Sequence, residues 1–203
     1  MNFRKNFQDR EAGFQMAPMI DVATIGAGGG SIAWVEPATG LLHVGPRSAG
    51  AMPGPVCYRR GGTEPTVTDA NVVLGYLPSG AKLGGDMQLD YAASEHAMGK
   101  VAQAMGLGIK ETAEGIVNIV NENMFGALRL VTVQKGLDPR DFVLHAFGGS
   151  CPTVCGIFGA ELSVKHIVIP YTAAVNCAFG LVSADIVHEY SVTKTLPVPS
   201  DAE

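Results

Sequence analysis

The sequence contains little charge and little cysteine, and it lacks long apolar runs. Charged residues make up 16% of its 203 residues, the formal net charge is -5, and no run of lysine or arginine occurs. Nucleic-acid binders need such a basic surface, so that class of partner is excluded. No stretch reaches the roughly 18 apolar residues of a membrane span, and the N-terminus lacks the apolar segment of a secretory signal. A membrane partner is therefore excluded, and the expected location is the cytoplasm.

The four cysteines are too few and too irregularly spaced for a disulfide framework. Cys151 and Cys155 would share one face of a helix, but no nearby histidine completes a set of metal ligands. Small buried thiols are the better interpretation. Apolar residues make up 47% of the chain, which is enough for the core of one ordinary domain. The low charge content favours a surface that partner subunits partly cover.

Apolar runs and turn residues predict an α/β layered fold whose sheet is partly parallel. Two short strands, residues 32–35 and 41–44, flank a Pro-Ala-Thr-Gly turn and predict a hairpin. A long loop with four prolines follows, over residues 45–65. Helices and strands then alternate, and their predicted ranges are helix 68–77, helix 90–106, a helix that includes Ile116 and ends at Gly136, strand 142–147, helix 153–162, strand 165–169, helix 173–184 and a strand through 195.

The first glycine cluster is Gly28-Gly29-Gly30, followed by Ser31. Successive glycines let backbone N–H groups approach an anion closely, and phosphate is the usual anion. The pattern lacks the Gly-Lys-Ser/Thr ending of a Walker A loop, and a strand follows it instead of the helix of a dinucleotide fingerprint. Two interpretations stay open, namely tight turns in a sheet or a phosphate site.

The second glycine cluster is Gly148-Gly149, followed by Ser150. It ends an apolar strand and leads toward a predicted helix. Such a turn gives a flat or anionic ligand close access to the backbone, and the N-terminus of a helix favours negative charge. By itself this pattern does not identify a ligand.

The segment Thr66-Val67-Thr68-Asp69 precedes a helical pattern and allows two interpretations. In the first, Thr68 or Asp69 caps the first turn of the helix. In the second, Asp69 has a catalytic role and helps to position Mg²⁺ or a phosphate-bound water, because hard cations prefer carboxylate oxygens. Both interpretations stay open at this level.

Five long segments resemble, in order, the C-terminal part of the large ATP-binding subunit of the hydantoinase, oxoprolinase and ketone-carboxylase family. They are TIGAGGGSIAWVEPATGLLHVGPRSAGAMPGPVCYRRGG, PTVTDANVVLGYLPSG, LGGDMQLD, KGLDPRDFVLHAFGG and VIPYTAAVNCAFGLVSADI. The resemblance runs from about Pro18 to Asp185, which is nearly the whole chain. So many long motifs in the same order argue against chance similarity.

The resemblance implies half of an actin/hexokinase-like ATPase fold, with a mixed sheet and flanking helices, in which ATP lies between two halves. Members of the family hydrolyse ATP to drive the hydrolysis of cyclic amides such as hydantoins and 5-oxoproline. Relatives carboxylate ketones such as acetone and acetophenone. Phosphorylation of an amide or enolate oxygen would turn a poor leaving group into a good one, and this chemistry needs mainly positioning and charge neutralisation.

The resemblance also implies roles for individual residues. The turn at Gly148 and Gly149 would contact the adenosine of ATP, and the glycine loop before the hairpin would lie near its phosphates. Carboxylates would hold Mg²⁺ or Mn²⁺. The implied nucleotide contacts are Gly28, Gly29, Gly30, Ser31, Gly148, Gly149 and Ser150, and the implied metal ligands are Asp21 and Asp69.

The same resemblance divides the chain and predicts its partners. Residues 1–17 would form an N-terminal extension, residues 18–190 a partial nucleotide-binding domain and residues 191–203 a C-terminal tail. Family members carry an additional N-terminal ATPase half, which this sequence lacks. We therefore expect a split subunit that works with an ATPase half on another polypeptide and with a hydantoinase B-like subunit. A piece of a longer polypeptide is the alternative.

Some positions depart from the family pattern. Ala23 and Val154 stand where histidine is expected, and loss of these imidazoles would remove a proton-transfer or metal-binding step. Cys151 and Arg59 stand where glycine is common. Cyclic-amide hydrolysis, the commoner activity of the family, is the first expectation and ketone carboxylation the second. A catalytically silent scaffold is the third, although a purely structural role would not require so many glycines.

Overall fold

The computed structural model describes residues 22–78 and 80–186. Residues 23–177 form one compact unit, whereas Val22 and residues 178–186 belong to a second unit. Helices and strands are mixed in this part of the chain, as the sequence predicts. The described strands form three two-stranded sheets, two antiparallel and one parallel, instead of the single partly parallel sheet that was expected. None of the helices described here is both long and apolar enough to span a bilayer.

A β-hairpin forms where the sequence predicts one. Strand β1 (Ser31–Val35) pairs antiparallel with strand β2 (Leu42–Ser48). The connecting turn contains Gly40 with a φ of +72°, a left-handed conformation that glycine adopts without a steric cost. The predicted loop after the hairpin is shorter than expected, because β2 reaches Ser48 and residues Val56–Tyr58 form a 3-10 helix.

Three helices follow the hairpin, namely α1 (Val67–Val73), α2 (Tyr91–Met105) and α3 (Ile109–Val131). The side chain of Asp90 caps the first turn of α2, and Gly106 ends the helix in a left-handed conformation, as predicted. A 3-10 turn after α3 leads to Gly136, which ends the helical segment where the sequence places its end. A small hairpin between α1 and α2 was not predicted, since its strands β3 (Lys82–Leu83) and β4 (Met87–Gln88) are too short to show a pattern.

A β-α-β unit carries the second glycine cluster. Strand β5 (Val143–His145) pairs in parallel with strand β6 (His166–Val168), and helix α4 (Cys151–Glu161) connects them. The helix packs closely on the strands, because a Cβ at Gly159 would lie 2.6 Å from the Ile167 side chain. The predicted strand, helix and strand of this unit are therefore confirmed.

The last described helix is α5 (Asn176–Ser183), which a 3-10 turn at Ala173–Val175 precedes. Both lie within the range predicted as helix 173–184. The strand predicted through residue 195 falls mainly outside the described residues.

Side chains from the hairpin and from helices α1, α2, α3 and α4 share one hydrophobic core. Its fully buried members include Met98, Ile116, Val120 and Phe158. Val154 also belongs to this core with 1% of its surface exposed. The position at which the family pattern places a histidine is therefore a packing position in this chain. This core fixes the ends of β1 and α4, where the two glycine clusters lie.

Candidate functional site

The first glycine cluster forms a tight turn directly before β1. The backbone N–H of Ser31 donates to the carbonyl of Gly28 at 3.0 Å, and the N–H of Gly28 donates to the Ser31 hydroxyl at 3.0 Å. Ser31 is 5% exposed. The hydroxyl of Ser31, a predicted ligand contact, is used inside the turn and maintains its shape.

Close packing explains why glycine occupies two positions of this turn. A Cβ at Gly29 would lie 2.8 Å from the Thr68 hydroxyl oxygen, and a Cβ at Gly30 would lie 2.9 Å from the Ser48 hydroxyl oxygen. Real Cβ atoms almost never approach other heavy atoms this closely. At Gly28, by contrast, nothing lies within 4 Å of an added Cβ. Neighbouring side chains therefore pack closely against the turn at Gly29 and Gly30, and the space at Gly28 is open.

The second glycine cluster lies between β5 and α4. The N–H of Gly148 donates to the carbonyl of Ala173 at 2.7 Å, and Gly148 has a φ of +90°. No heavy atom lies within 4 Å of a Cβ added at Gly148 or at Gly149. Ser150 precedes the first turn of α4, and its side chain makes no capping hydrogen bond. The backbone at this turn is accessible, and the N-terminus of α4 is free of a side-chain cap.

The two glycine turns lie next to each other. A Cβ at Gly29 would be 3.3 Å from both Cβ and Oγ of Ser150. Among the hydrogen bonds between described residues, the N–H groups of Gly29, Gly30 and Gly149 have no acceptor. Backbone donors from two loops, together with the N-terminus of a helix, therefore lie at one place on the surface. Such an arrangement suits an anionic ligand.

The thiol of Cys151 lies at the same helix N-terminus and adds no negative charge there. Burial raises its pKa above the ordinary value, and the neighbouring Cys155 raises it further. Burial also raises the pKa of Cys155. Both thiols stay protonated at neutral pH, so they do not repel an anion. Cys155 is buried and Cys151 is half-buried, in line with the expectation of small packed thiols.

Of the two interpretations of Asp69, the structure supports the capping one. Its carboxylate is fully buried. It accepts five hydrogen bonds, from the N–H groups of Val56 (3.1 Å), Cys57 (2.8 Å) and Thr66 (2.9 Å) and from the hydroxyls of Thr66 (2.8 Å) and Ser94 (2.7 Å). Thr66, not Thr68, is the N-cap of α1, and Thr66 and Asp69 form a reciprocal capping box.

The expectation that Asp69 is a catalytic residue or a metal ligand is therefore corrected. Both of its oxygens are already satisfied by protein donors, and no face of the carboxylate reaches solvent. Its role is to join α1, α2 and the 3-10 helix Val56–Tyr58. No group of three or more histidine, cysteine, aspartate or glutamate side chains within residues 22–78 and 80–186 fits a metal ion. Asp21, the other expected ligand, lies outside the described residues.

Two functional candidates near the first turn were missed by the sequence interpretation. Thr68 is not a cap. Its backbone N–H and its hydroxyl both donate to the carbonyl of Gly29, each at 2.9 Å. Asn123 of α3 lines an open depression of about 360 Å³ beside Gly26 and Ala27. Helical periodicity locates the buried face of α3 but gives no signal for a polar residue that faces a distant loop.

Arg59 is one of the departures from the family pattern. It has a φ of +58°, in the left-handed region that favours glycine, the residue that the resemblance leads us to expect at this position. Its side chain also forms an ion pair with Asp90 at 3.2 Å. The fold therefore keeps the glycine-type backbone here although the side chain is large.

Cys57 is fully buried beside Asp69, and this environment makes stability depend on pH. Burial raises the pKa of the Cys57 thiol well above its ordinary value of 9.0, and the charge of Asp69 raises it further. The folded state therefore keeps this proton at pH values where the unfolded state has lost it. This contribution to stability is complete below pH 9 and falls as pH rises further.

We expect the free energy of unfolding to fall more steeply above pH 9 in the natural protein than in Cys57→Ala. One proton held only by the folded state corresponds to a slope of about 1.4 kcal/mol per pH unit. Urea unfolding at pH 8 and pH 10 measures this difference, and other ionising groups cancel in the comparison. Equal slopes for the two proteins would contradict the assignment.

Comparisons with other proteins point to one family. A sequence profile described as Hydantoinase/oxoprolinase matches residues 3–190. The caprolactamase subunit alpha of Pseudomonas jessenii is 47% identical over 187 residues, which cover 92% of this chain and 26% of that protein. The acetophenone carboxylase gamma subunit of Aromatoleum aromaticum is 47% identical over 179 residues, covering 88% of this chain and 24% of that protein.

Solved structures agree with the sequence comparisons. The crystal structure of ATP-dependent caprolactamase from Pseudomonas jessenii superimposes with a TM-score of 0.75 at 48% identity, covering 83% of this chain and 24% of that chain. Nucleotide-free acetone carboxylase, from work on ATP-dependent acetone carboxylation, superimposes with a TM-score of 0.74 at 32% identity, covering 79% and 23%. This chain therefore spans about a quarter of the length of these relatives.

Proposed function

Because this chain belongs to the hydantoinase/oxoprolinase family, we propose that it supplies part of the nucleotide site of an ATP-dependent enzyme that hydrolyses a cyclic amide. The observation that carries the proposal is the contact between the two glycine turns, where a Cβ at Gly29 would be 3.3 Å from Ser150. The N–H groups of Gly29, Gly30 and Gly149 are the proposed donors to phosphate oxygens, and the N-terminus of α4 adds favourable charge. Gly28, Gly148 and Ser150 complete the proposed contacts.

We extend the proposal to the architecture. Residues 18–190 would form the partial nucleotide-binding domain, as half of an actin/hexokinase-like ATPase fold, between an extension at 1–17 and a tail at 191–203. The other ATPase half and a hydantoinase B-like subunit would complete the enzyme. Two features support this, namely the share of the relatives' length that the chain spans and the names of the relatives, which are subunits. A cytoplasmic location is part of the same proposal.

The described residues offer no site for Mg²⁺ or Mn²⁺, because Asp69 is fully engaged with protein donors. Asp21 remains the one proposed carboxylate ligand. The chain's own contribution is a set of fixed backbone donors, which position the phosphates and offset their charge without reorganising.

The reaction that this site would serve is activation of an amide oxygen. The oxygen attacks the terminal phosphorus of ATP, the bond from that phosphorus to the bridging oxygen breaks, and ADP leaves with the electron pair. Water adds to the activated carbon, and the ring C–N bond breaks with transfer of a proton to nitrogen. A further water releases the phosphate and leaves a carboxylate. Because Ala23 and Val154 stand where histidine is expected, the proton transfers would rely on groups from another polypeptide.

Ketone carboxylation is the second candidate. The chain is 47% identical to the caprolactamase alpha subunit and 47% identical to the acetophenone carboxylase gamma subunit, so identity does not separate the two reactions. ATP dependence is common to the caprolactamase and acetone carboxylase structures. Release of ADP, measured with caprolactam, a hydantoin, 5-oxoproline and a ketone plus bicarbonate, distinguishes the substrates.

The variant Gly149→Val tests the nucleotide site. Space around Gly149 is open, so valine is expected to leave the fold intact and to fill the volume where the ligand approaches. We expect ATP affinity, measured by calorimetry on the chain with its co-purifying polypeptides, to fall about tenfold or more.

Gly156→Val is the matched control, since Gly156 is exposed on α4 and nothing lies within 4 Å of its added Cβ. This variant is expected to bind ATP like the natural protein. Absence of any ATP binding in the natural complex would support the third alternative, a catalytically silent scaffold.

A further inference from the structure

Thr68 makes two hydrogen bonds to the first glycine turn. Thr68 donates both its backbone N–H and its hydroxyl to the carbonyl of Gly29, at 2.9 Å each. These partners are 39 positions apart in the sequence. Thr68 is 8% exposed, so water does not compete freely for these bonds. The contact is specific, because a Cβ at Gly29 would come within 2.8 Å of the Thr68 hydroxyl oxygen.

The bonds that fix the Gly29 carbonyl also fix the direction of a hydrogen-bond donor, the N–H of Gly30. In a trans peptide the C=O of one residue and the N–H of the next point in opposite directions within one rigid plane. The two bonds from Thr68 therefore orient the N–H of Gly30, which has no acceptor among the described residues. Without the hydroxyl, this peptide would be held by the Thr68 N–H alone, and glycine resists rotation about φ and ψ less than other residues do.

The hydrogen bonds of the neighbouring residue hold Thr68 in place. The next residue, Asp69, binds donors from the 3-10 helix Val56–Tyr58, from Thr66 and from Ser94 of α2. The first turn of α1 is thereby joined to two other segments. Hydrogen bonds to a buried carboxylate are stronger than neutral ones, so the first turn of α1 resists movement.

We propose that Thr68 is a positioning residue of the nucleotide site, which holds the Gly29–Gly30 peptide so that the Gly30 N–H is presented to a phosphate oxygen of ATP. The proposal rests on the proposed function. It adds that the affinity for the phosphates depends on a side chain that does not touch the nucleotide. The Thr68 hydroxyl acts through the Gly29 carbonyl, and removal of the hydroxyl takes away one of the two bonds that orient the peptide.

The test compares Thr68→Val and Thr68→Ser in the full chain, purified with its co-purifying polypeptides. Valine has the same shape but no hydroxyl, and serine keeps the hydroxyl. We expect Thr68→Val to weaken ATP binding about tenfold and Thr68→Ser to stay within about threefold of the natural protein. Calorimetry gives the affinities. Hydrogen exchange should also be faster in Thr68→Val alone at Gly28 and Ser31, whose N–H groups are bonded inside the turn.

Thr112→Val is the matched control. The N–H and hydroxyl of Thr112 both donate to the carbonyl of Gly108, at 2.9 Å each, and the side chain is fully buried. The substitution therefore removes the same bond to a glycine carbonyl at the start of α3. A similar loss of thermal stability in both valine variants, with weaker ATP binding only in Thr68→Val, supports positioning.

The outcomes distinguish the positioning role of Thr68 from the proposed nucleotide site itself. Undiminished ATP binding by Thr68→Val overturns the positioning role and leaves the nucleotide site intact. If Thr68→Val does not fold, a tenfold weaker affinity of a well-folded Thr68→Ser overturns it instead, because the hydroxyl is then present. A natural complex that binds no ATP overturns the proposed function and this inference together.

Discussion

Replacing Asp69 with asparagine is expected to lower the unfolding midpoint of the protein by roughly 6–12 °C, which corresponds to about 3 kcal/mol. Asparagine has the same shape, but it carries one acceptor oxygen and one NH₂ group. The Asp69 carboxylate accepts bonds on both oxygens, so the NH₂ group would face a donor in either orientation. At least one buried backbone N–H, of Cys57 or of Val56 and Thr66, would lose its acceptor.

The size of this effect follows from burial. An unsatisfied buried donor costs about 1–3 kcal/mol, and the charge-assisted bonds of the carboxylate are lost in addition. Asp69 also joins three segments of the chain, so its replacement loosens all of them together. Thermal unfolding followed by circular dichroism, on the chain with its co-purifying polypeptides, measures the change.

Asp86→Asn is the control, because it makes the same chemical change at an exposed position near β4. It should melt like the natural protein. The informative contradiction would be an Asp69→Asn protein with normal stability and no ATP turnover. That result would restore Asp69 as a catalytic residue or a metal ligand and would reject the capping role.

Gly29→Val is expected to weaken ATP binding strongly and to destabilise the fold. The first added carbon would lie 2.8 Å from the Thr68 hydroxyl oxygen and 3.3 Å from Ser150. Relief of this overlap would break the Thr68 bond to the Gly29 carbonyl and separate the two glycine turns. We expect a loss of affinity of about a hundredfold and a loss of stability of about 1–3 kcal/mol.

Calorimetry with ATP and thermal unfolding measure both effects. Gly28→Val serves as the control for stability alone, since nothing lies within 4 Å of a Cβ at Gly28 and its φ is not in the left-handed region. It should unfold at nearly the natural temperature. Full ATP affinity in Gly29→Val would show that the two turns do not form one binding site.

The parts of the fold that the sequence predicted are those with local signals. Asp90 and Gly106 marked the ends of α2, and a turn marked the hairpin, because capping and left-handed turns depend on residues that are close in sequence. The strand, helix and strand around the second glycine cluster were predicted for the same reason. Their apolar runs are short and bounded by glycine or proline.

The errors concern contacts between distant segments. Asp69 has donors from the 3-10 helix before α1, from the N-cap Thr66 and from Ser94 of α2, and only the donor at Thr66 is local. A metal ligand and a capping carboxylate look alike in sequence, and only the number of donors separates them. The bond from Thr68 to Gly29 was invisible for the same reason.

The closeness of the two glycine turns was expected from the family resemblance and is confirmed by the short approach between Gly29 and Ser150. Spacing alone contains no information about this approach, because more than a hundred residues separate the turns. The nucleotide that would lie between them is a proposal, and the variants above test it.

The parallel pair β5 and β6 has a thermodynamic consequence. Each strand has only one partner among the described residues, and Val143 and Val168 are 55% and 45% exposed. Any chain that adds a strand to this pair would restrict the motion of the Gly148–Gly149 turn at the end of β5. A ligand held by that turn would in return favour the added strand, since linkage between two binding events is reciprocal. Binding of the added strand would then strengthen ligand binding at the turn, and ligand binding would strengthen subunit assembly.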